Sequence, residues 1–314
     1  DFYNVDKKKL GEGSYGKGDG QSPRTQATGA VRALKTISKS QMKNLDRFYQ
    51  EIAIMKIMDH PNICKLFETF QDHRNIYLVL ELCAGGELFD RIIESGHFTE
   101  AQAATVMQHM FRAIYYMHEN HICHRDLKPE NFLFTSKDPI EKCTLKVIDF
   151  GLARQFTNNQ VLGTKAGTPY YDAEVLAKVR MGTFKFSPSD WKMISQDAKD
   201  LITNLLKMNP RDRYTAEQAL NHIWVKEKAP KAEHCALQAG MFDNLRGFRS
   251  QNKLKKAALH VIASQLGEAQ IKGLRDVFVS LDENGDGLLT VVEMKAGLEK
   301  AGLAEIPADL QAIM

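Results

Sequence analysis

The chain has 314 residues and a net charge of +3, and 43% of its residues are hydrophobic against 26% charged. This length exceeds that of one small domain and allows a large two-lobed domain with an appendage. So small a net charge gives no indication of a nucleic acid partner or of a membrane surface, and no apolar run approaches the length of a membrane-spanning helix.

A glycine-rich stretch lies near the start of the chain. Residues 10–16 read L-G-E-G-S-Y-G and contain the G-x-G-x-x-G pattern of phosphate-binding loops. In dinucleotide-binding folds a helix follows this pattern at once, but here Gly18, Gly20 and Pro23 follow and break helices. The pattern therefore favours a flap whose glycine backbone approaches phosphate groups closely.

Patterns of a strand and a helix follow the flap. Residues 31–35 alternate as a strand that ends on Lys35, and residues 48–55 have the period of a helix that carries Glu51. We expect the helix to end before Pro61, because the residue before a proline avoids helical geometry. Further along, residues 76–80 read I-Y-L-V-L as a buried strand, and apolar residues at helical spacing predict a core helix over residues 103–117.

Two motifs in the middle of the chain indicate chemistry. Residues 124–131 read H-R-D-L-K-P-E-N, and residues 147–151 read V-I-D-F-G. An isolated H-R-D tripeptide is typical of an ordinary turn, whereas this eight-residue run flanked by apolar residues is not. The two motifs resemble the catalytic loop and the metal-binding D-F-G of eukaryotic protein kinases. The resemblance implies the α+β bilobal protein-kinase fold over residues 1–225, with a small β-rich lobe and a large α-rich lobe.

The resemblance also implies a role for each motif residue. Asp126 would accept the hydroxyl proton of the substrate, and Lys128 would lie beside the transferring phosphoryl group. Lys35 would bind the α- and β-phosphates of ATP while it forms an ion pair with Glu51. Asn131 and Asp149 would bind Mg²⁺, and the ATP site would be completed by Leu10, Gly11, Glu12, Gly13, Ser14 and Gly16 of the flap, by Ala33, by Glu81 and Cys83 of the hinge after the gatekeeper Leu80, and by Glu87 and Leu133.

Two acidic residues bear on the choice of substrate. Glu87 and Glu130 resemble the acidic pair with which basophilic kinases bind arginine near the acceptor residue. The alternative is that both are solvated surface carboxylates. Lys128, and the lack of tyrosine-kinase residues after Asp126, favour serine or threonine as the acceptor. The implied partners are therefore protein substrates with basic residues near a Ser or Thr.

The family pattern is interrupted after residues 167–171, which read G-T-P-Y-Y. An A-P-E-like turn and a central apolar helix should follow, but residues 172–184 resemble a helix from much later in the large lobe. We infer that a few dozen residues are absent between Tyr171 and Asp172. The alternative is a genuine deletion, which would leave the protein inactive. The pattern then resumes, and Arg213 stands where the family places the arginine that pairs with the A-P-E glutamate.

A charged linker and a basic junction helix are expected over residues 226–266. In residues 244–266 one helical face carries apolar side chains, with basic residues around it: Leu245, Phe248, Leu259 and Ile262. This pattern is typical of helices that bind acidic calcium sensors. The alternative is a basic helix that only packs on its own kinase domain.

The last motif is a calcium-binding loop. Residues 282–293 read D-E-N-G-D-G-L-L-T-V-V-E and match the twelve-residue loop of an EF-hand. Ca²⁺ would be bound by oxygen atoms of Asp282, Asn284, Asp286, Leu288 through its carbonyl, Thr290 and Glu293. We therefore expect an all-α EF-hand region over residues 267–314, with one complete hand and the start of a second that is cut off at Met314.

The order of kinase domain, basic helix and EF-hand is similar to that of calcium-dependent protein kinases of plants and protozoan parasites. The resemblance implies a Ser/Thr kinase that uses ATP and Mg²⁺, inhibited by its junction helix until the EF-hand region, loaded with Ca²⁺, binds that helix. Two alternatives stay open: a calmodulin-regulated kinase with a structural EF-hand, and a pseudokinase calcium-sensor scaffold. A pseudokinase would need a lost catalytic residue, yet Lys35, Glu51, Asp126, Asn131 and Asp149 are all present.

The cysteines and the N-terminus are relevant to where in the cell the protein is located. Five cysteines are scattered without metal-ligand spacing, which predicts reduced thiols in a cytoplasmic protein: Cys64, Cys83, Cys123, Cys143 and Cys235. The chain begins at Asp1, so the sequence leaves open an N-terminal acyl group and, with it, association with a membrane.

Overall fold

The computed structural model describes residues 3–5, 23–25, 30–41, 45–96, 98–157, 181–228, 243, 245–247 and 249–250. The glycine-rich flap, the interruption after Tyr171, most of the junction helix and the EF-hand loop lie outside these residues. The chain divides into two compact units, one of residues 1–158 and 214–235, the other of residues 159–213 and 236–314.

The first unit begins with antiparallel strands. β1 (Tyr3–Val5) pairs with β2 (Pro23–Thr25), and a three-stranded sheet has the order β3-β5-β4, with β3 at Ala33–Ser38, β4 at Leu66–Gln71 and β5 at Asn75–Leu80. β5 is the central strand and is buried, as its apolar run predicts. β3 begins two residues later than expected and extends further, because its ladder with β5 runs from Ala33 opposite Leu80 to Ser38 opposite Asn75.

Helix α1 (Leu45–Ile57) packs one face into the core of this unit. Phe48, Ile52 and Met55 are buried at the spacing of one helical face, and Glu51 is buried with them. The helix is longer at both ends than the predicted 48–55, and it ends before Pro61 as expected.

Short strands and two further helices follow in the same unit. α3 begins with a capping box, in which the Thr99 hydroxyl accepts from the N–H of Gln102 and the Gln102 side chain accepts from the N–H of Thr99. β6 pairs with β9 and β7 pairs with β8, both antiparallel. The bounds are Leu88–Ser95 for α2, Glu100–Glu119 for α3, Ile122–Cys123 for β6, Phe132–Phe134 for β7, Leu145–Val147 for β8 and Arg154–Gln155 for β9.

The described part of the second unit contains α4 (Pro188–Trp191) and α5 (Gln196–Leu205). The Ser195 hydroxyl caps α5 by accepting from the N–H of Ala198. Arg213, which the family pattern pairs with a glutamate, donates from its guanidinium to the carbonyl oxygens of Lys207 (2.9 Å) and Met208 (3.2 Å). Arg213 thus closes its own loop in this structure.

The chain then returns to the first unit with α6 (Ala216–Asn221), which packs on α3, and with a π-helical turn at Trp224–Lys228. The indole N–H of Trp224 donates to a carboxylate oxygen of Glu100 at 2.8 Å, and both side chains are buried. This bond satisfies a buried carboxylate at the start of α3. Among the residues described, no helix is long and apolar enough to cross a bilayer.

Candidate active site

The hairpin of β7 and β8 brings the two chemical motifs together. The H-R-D-L-K-P-E-N loop leads directly into β7, and D-F-G follows β8 after one residue. Because the strands are antiparallel, with Phe132 opposite Val147, the end of the first motif lies beside the start of the second. The N–H of Ile148 donates to the carbonyl of Asn131 at 2.9 Å and fixes that contact.

Three predicted catalytic residues meet at one carboxylate. The Lys128 ammonium lies 2.7 Å from Oδ2 of Asp126, and both side chains are largely shielded from solvent, at 20% and 11% exposed. The Asn131 amide donates to the carbonyl oxygen of Asp126 at 2.8 Å and to its Oδ2 at 3.2 Å. The Asp126 carboxylate is therefore fixed in orientation and placed beside a positive charge.

His124 links the catalytic loop to D-F-G, a role that the sequence did not reveal. Its Nδ1 accepts from the N–H of Asp126 at 3.3 Å, so the ring proton belongs on Nε2, which donates to the carbonyl of Ile148 at 3.1 Å. The ring packs edge-on against Phe150 with centroids 5.1 Å apart. Burial lowers the pKa of His124, so the neutral imidazole is favoured. The position of His124 as the first residue of the H-R-D motif is the sequence feature that could have indicated this role.

Both motifs contain a non-glycine residue in left-handed backbone geometry. The φ angle is 64° at Arg125 and 60° at Asp149. Such conformations cost on the order of 1–3 kcal/mol each and persist only where the surroundings hold them. Arg125 donates from Nε to the carbonyl of Leu152 at 2.7 Å, and Oδ1 of Asp149 accepts from the N–H of Gly151 at 3.3 Å. Among the described non-glycine residues with positive φ, two lie in these motifs and the third, His121, lies just before the first motif; such strain is common at functional sites.

Asp149 and Asn131 suit a hard cation such as Mg²⁺. The Nδ2 atom of Asn131 donates to Asp126, which leaves Oδ1 as the amide atom able to bind a metal. Within the described residues no group of three or more His, Cys, Asp or Glu forms a metal site. Mg²⁺ binds in proteins through one or two oxygen ligands together with phosphates and water, so two residues are enough to hold it.

Lys35 and Glu51 lie on neighbouring elements of the small lobe. Lys35 is half-buried on β3 opposite Leu78, and Glu51 on α1 is only 6% exposed. A carboxylate so buried is stable only when paired or hydrogen-bonded. The ion pair between these two residues stays a prediction, and burial of Glu51 is the observation that favours it.

The segment after β5 is tied to β8 by a buried ion pair. The Lys146 ammonium lies 2.7 Å from Oε2 of Glu81, with side chains 9% and 26% exposed. The N–H of Glu81 donates to the carbonyl of Lys65 at 2.9 Å, and the N–H of Lys65 donates to Oε2 of Glu81 at 3.3 Å. The predicted hinge is therefore connected, through Lys146, to the strand that leads to Asp149. No pattern in the sequence indicated this contact.

A second group of predicted site residues meets where the hinge leads into α2. The N–H of Gly85 donates to the carbonyl of Phe134, and a β-carbon at Gly85 would lie 2.1 Å from the carbonyl oxygen of Ser136, so only glycine fits. Just beyond, Glu87 forms an isolated bridge with Leu133. Glu87 is half-buried and Glu130 is exposed, and the structure leaves their role in substrate choice a prediction.

The remaining predicted residues divide into two groups. Ala33 lies opposite the gatekeeper Leu80 in the β3–β5 ladder, and Cys83 is half-buried. The flap residues and the calcium ligands lie outside the described residues: Leu10, Gly11, Glu12, Gly13, Ser14, Gly16, Asp282, Asn284, Asp286, Leu288, Thr290 and Glu293.

Comparison with known proteins gives consistent matches. The family model of the protein kinase domain matches residues 4–183. Calcium-dependent protein kinase 3 of Plasmodium berghei is 37% identical over 356 aligned positions, covering 100% of this chain and 63% of the relative. Calcium-dependent protein kinase 5 of Plasmodium falciparum is 39% identical over 333 positions, covering 94% and 58%. Calcium-dependent protein kinase 2 of rice is 36% identical over 348 positions, covering 98% and 67%.

These alignments also compare the lengths of the proteins. The chain spans about three fifths of the length of the first curated relatives it matches. The alignment with the Plasmodium berghei protein runs over 356 positions, whereas this chain has 314 residues. The aligned positions in excess of 314 are therefore gaps in this chain.

Proposed function

Since this chain belongs to the protein kinase family and, within it, to the calcium-dependent protein kinases, we propose that it transfers the γ-phosphate of ATP to serine and threonine residues of proteins under the control of Ca²⁺. The observation that carries the proposal is the meeting of Lys128 and Asn131 at the carboxylate of Asp126, with the D-F-G motif alongside.

The chain's own residues have defined tasks in this proposal. Asp126, held in orientation by two donors, accepts the proton of the substrate hydroxyl. Lys128 places positive charge beside the phosphoryl group, where negative charge must be stabilised during transfer. His124 keeps Asp126 and Ile148 in register through its two ring nitrogens. Mg²⁺, bound by Asp149 and Asn131, would supply positive charge to the phosphates of ATP.

We assign the nucleotide site to the small lobe and the predicted hinge. The backbone of residues 81–83 would bind adenine, and Lys35, supported by Glu51, would bind the α- and β-phosphates under the glycine-rich flap. Supporting observations are the register of Ala33 with Leu80, the bridge between Glu87 and Leu133, and the burial of Glu51.

We further propose that Glu87 and Glu130 select substrates with arginine or lysine before the acceptor residue. A hydrogen bond between charged groups contributes roughly 1.5–3 kcal/mol, so Glu87→Ala should lower the preference for such peptides about tenfold or more. A peptide array with the wild type and Glu87→Ala measures this preference. Equal use of acidic and basic upstream residues by the wild type would contradict the proposal.

Regulation is proposed to come from the C-terminal third of the chain. The basic junction helix would inhibit the kinase, and the EF-hand region would bind that helix once Ca²⁺ occupies the loop at residues 282–293. The described cysteines are free thiols, which supports a reducing, cytoplasmic location. Membrane association through an N-terminal acyl group stays an open proposal.

The test is a transfer assay with the purified chain, Mg²⁺-ATP and a serine peptide that has upstream arginine. We expect phosphoserine, dependent on Ca²⁺ without added calmodulin, and a loss of roughly 10²–10⁴-fold in Asp126→Asn. Activity only after addition of calmodulin would favour the alternative of a calmodulin-regulated kinase with a structural EF-hand. ATP binding without transfer, at any Ca²⁺ concentration, would favour a pseudokinase scaffold.

A further inference from the structure

Two cysteines meet behind the predicted hinge. Cys64 precedes β4 and Cys83 follows β5, and these strands are antiparallel, with Leu66 opposite Leu80. The pairing continues past that point through the two contacts of Lys65 with Glu81, so the segments that carry the thiols run side by side. The Cys64 thiol donates to the carbonyl oxygen of Glu81 at 3.6 Å, and Cys83 follows that carbonyl by two residues.

The two thiols differ in burial and in acidity. Cys64 is 7% exposed, whereas Cys83 is half-buried. Interaction with the Cys83 thiol, followed by burial, raises the pKa of Cys64 well above its usual value. The same interaction lowers the pKa of Cys83, and it outweighs burial and the Glu81 carboxylate, which act in the opposite direction. Cys83 is therefore the more acidic and more accessible thiol, and the thiolate is the reactive form.

A third described cysteine, Cys143, has different neighbours. The Cys143 thiol is buried and contacts oxygen atoms of Ser136 and Asp138, including the carbonyl of Asp138 at 2.9 Å. Cys143 therefore provides an internal reference, a thiol in the same unit with oxygen neighbours in place of a sulfur neighbour.

We propose that Cys83 and Cys64 form a peroxide-sensitive thiol pair at the back of the hinge. The Cys83 thiolate attacks hydrogen peroxide, breaks its O–O bond and becomes a sulfenic acid, while hydroxide leaves and takes up a proton to form water. The Cys64 sulfur then attacks the sulfenic sulfur, and the hydroxyl group leaves with the Cys64 proton as a second water. Two thiols thus lose two electrons to one peroxide, and a disulfide results.

The consequence for the kinase rests on the proposed nucleotide site. Disulfide formation removes the Cys64 donor from the Glu81 carbonyl and draws the sulfurs to about 2.0 Å. The hinge backbone that is proposed to bind adenine must shift, although the side chain of Glu81 remains held by Lys146. We expect ATP affinity to fall about tenfold on oxidation, the effect of one weakened hydrogen bond, and to return on reduction.

The first measurement concerns the chemistry alone. The full chain is treated with hydrogen peroxide, its remaining thiols are blocked, and the disulfides are mapped by peptide mass spectrometry. We expect a Cys64–Cys83 disulfide that dithiothreitol reverses, unchanged in the control Cys143→Ser. In Cys64→Ser a sulfenic acid should accumulate at Cys83. If Cys64→Ser folds poorly, Cys64→Ala is used for the same measurement. Oxidation of Cys143 to the same extent as Cys83, or no linkage, would overturn the pair.

The second measurement is ATP binding by calorimetry to reduced and oxidised chain. Within each variant the two forms are compared, so any effect of a substitution on basal affinity cancels. A mapped disulfide with unchanged ATP affinity would overturn the coupling to the hinge. Reduced chain that binds no ATP would contradict the proposed function instead, and mass mapping would still decide whether the thiol pair exists.

Discussion

At the scale of single residues, Asp149 combines a chemical role with an unusual backbone. Its φ angle of 60° lies in the left-handed region, which few side chains adopt, but asparagine is one of them. Asp149→Asn therefore removes the negative charge that would bind Mg²⁺ without adding backbone strain. This makes it a cleaner substitution than alanine for separating chemistry from folding.

We predict that Asp149→Asn reduces peptide phosphorylation to near background, because catalysis of phosphoryl transfer is mostly electrostatic. Lys35→Met should have the same effect by removing the charge aimed at the ATP phosphates. Both variants should remain folded, and Asp149→Asn should unfold close to the wild-type temperature. The matched control is Asp138→Asn, the same change at an exposed residue outside the motifs. Normal turnover by Asp149→Asn would refute its assignment as a metal ligand.

The burial of His124 leads to a prediction about how the free energy of unfolding depends on pH. Burial lowers the pKa of His124 below the ordinary 6.5, so between these two values the unfolded chain binds a proton that the folded chain does not. The free energy of unfolding should therefore fall as pH drops below about 6.5, by up to about 1.4 kcal/mol per pH unit from this group.

Urea unfolding between pH 7.5 and 5.5 measures that slope. His124→Gln keeps a donor and an acceptor but cannot be protonated, so its slope should be smaller than that of the wild type. His73→Gln, the same substitution at an exposed position, serves as the control. Identical slopes in His124→Gln and the wild type would show that the pKa of His124 is the same in the folded and unfolded states.

At the scale of elements, the ion pair between Glu81 and Lys146 ties the hinge after β5 to β8. Removing one partner of a buried pair leaves an uncompensated charge, which typically costs about 3–5 kcal/mol. Glu81 is partly exposed, so we predict that Lys146→Met lowers the free energy of unfolding by about 2 kcal/mol, less than that range. Chemical denaturation measures the loss.

A surface pair in the same region provides the control for this prediction. Lys65 and Asp59 are also 2.7 Å apart, but their side chains are 40% and 74% exposed. Lys65→Met should therefore cost less than about 1 kcal/mol. The double variant Lys146→Met/Glu81→Leu should recover part of the loss, because no buried charge remains. Equal losses in the two single variants would contradict the importance of burial.

Elements with local patterns were predictable, whereas contacts between distant elements were not. The buried strand β5, the core helix α3 and the catalytic loop each follow from apolar spacing or a contiguous motif. The contacts of Lys146 with Glu81 and of Cys64 with the Glu81 carbonyl join residues with no shared periodicity, so only the β4–β5 and β7–β8 pairings reveal them. Left-handed backbone at Arg125 and Asp149 is equally hidden, since their residue types do not require it.

At the scale of the whole molecule, the family match and the sequence interpretation differ in extent. The kinase domain model ends at residue 183, whereas the family pattern was followed to residue 225. In the structure, residues 214–235 belong to the first unit, where α6 packs on α3 and Trp224 bonds to Glu100. That packing favours the longer boundary, which stays a prediction together with the inferred absence of residues after Tyr171.

The number of calcium sites limits how completely Ca²⁺ can switch the whole protein. Reversal from 1% to 99% active needs about 5.5 kcal/mol of differential binding. One site, at a hundred times its dissociation constant, supplies about 2.7 kcal/mol even if it binds one state alone. The single complete EF-hand predicted at residues 282–293 could thus raise a 1% active population only to about one half.

We therefore predict that this chain binds Ca²⁺ but activates gradually and incompletely, while a longer protein with further hands activates steeply. Kinase activity is measured against free Ca²⁺ without calmodulin. Glu293→Gln removes the bidentate ligand of one site, so it should abolish activation of this chain but only weaken that of the longer protein. Glu299→Gln, outside the loop, is the control with the same charge change. The requirement for several sites follows because one site cannot supply the free energy for a full switch. Activation of this chain as steep as that of the longer protein would contradict that requirement.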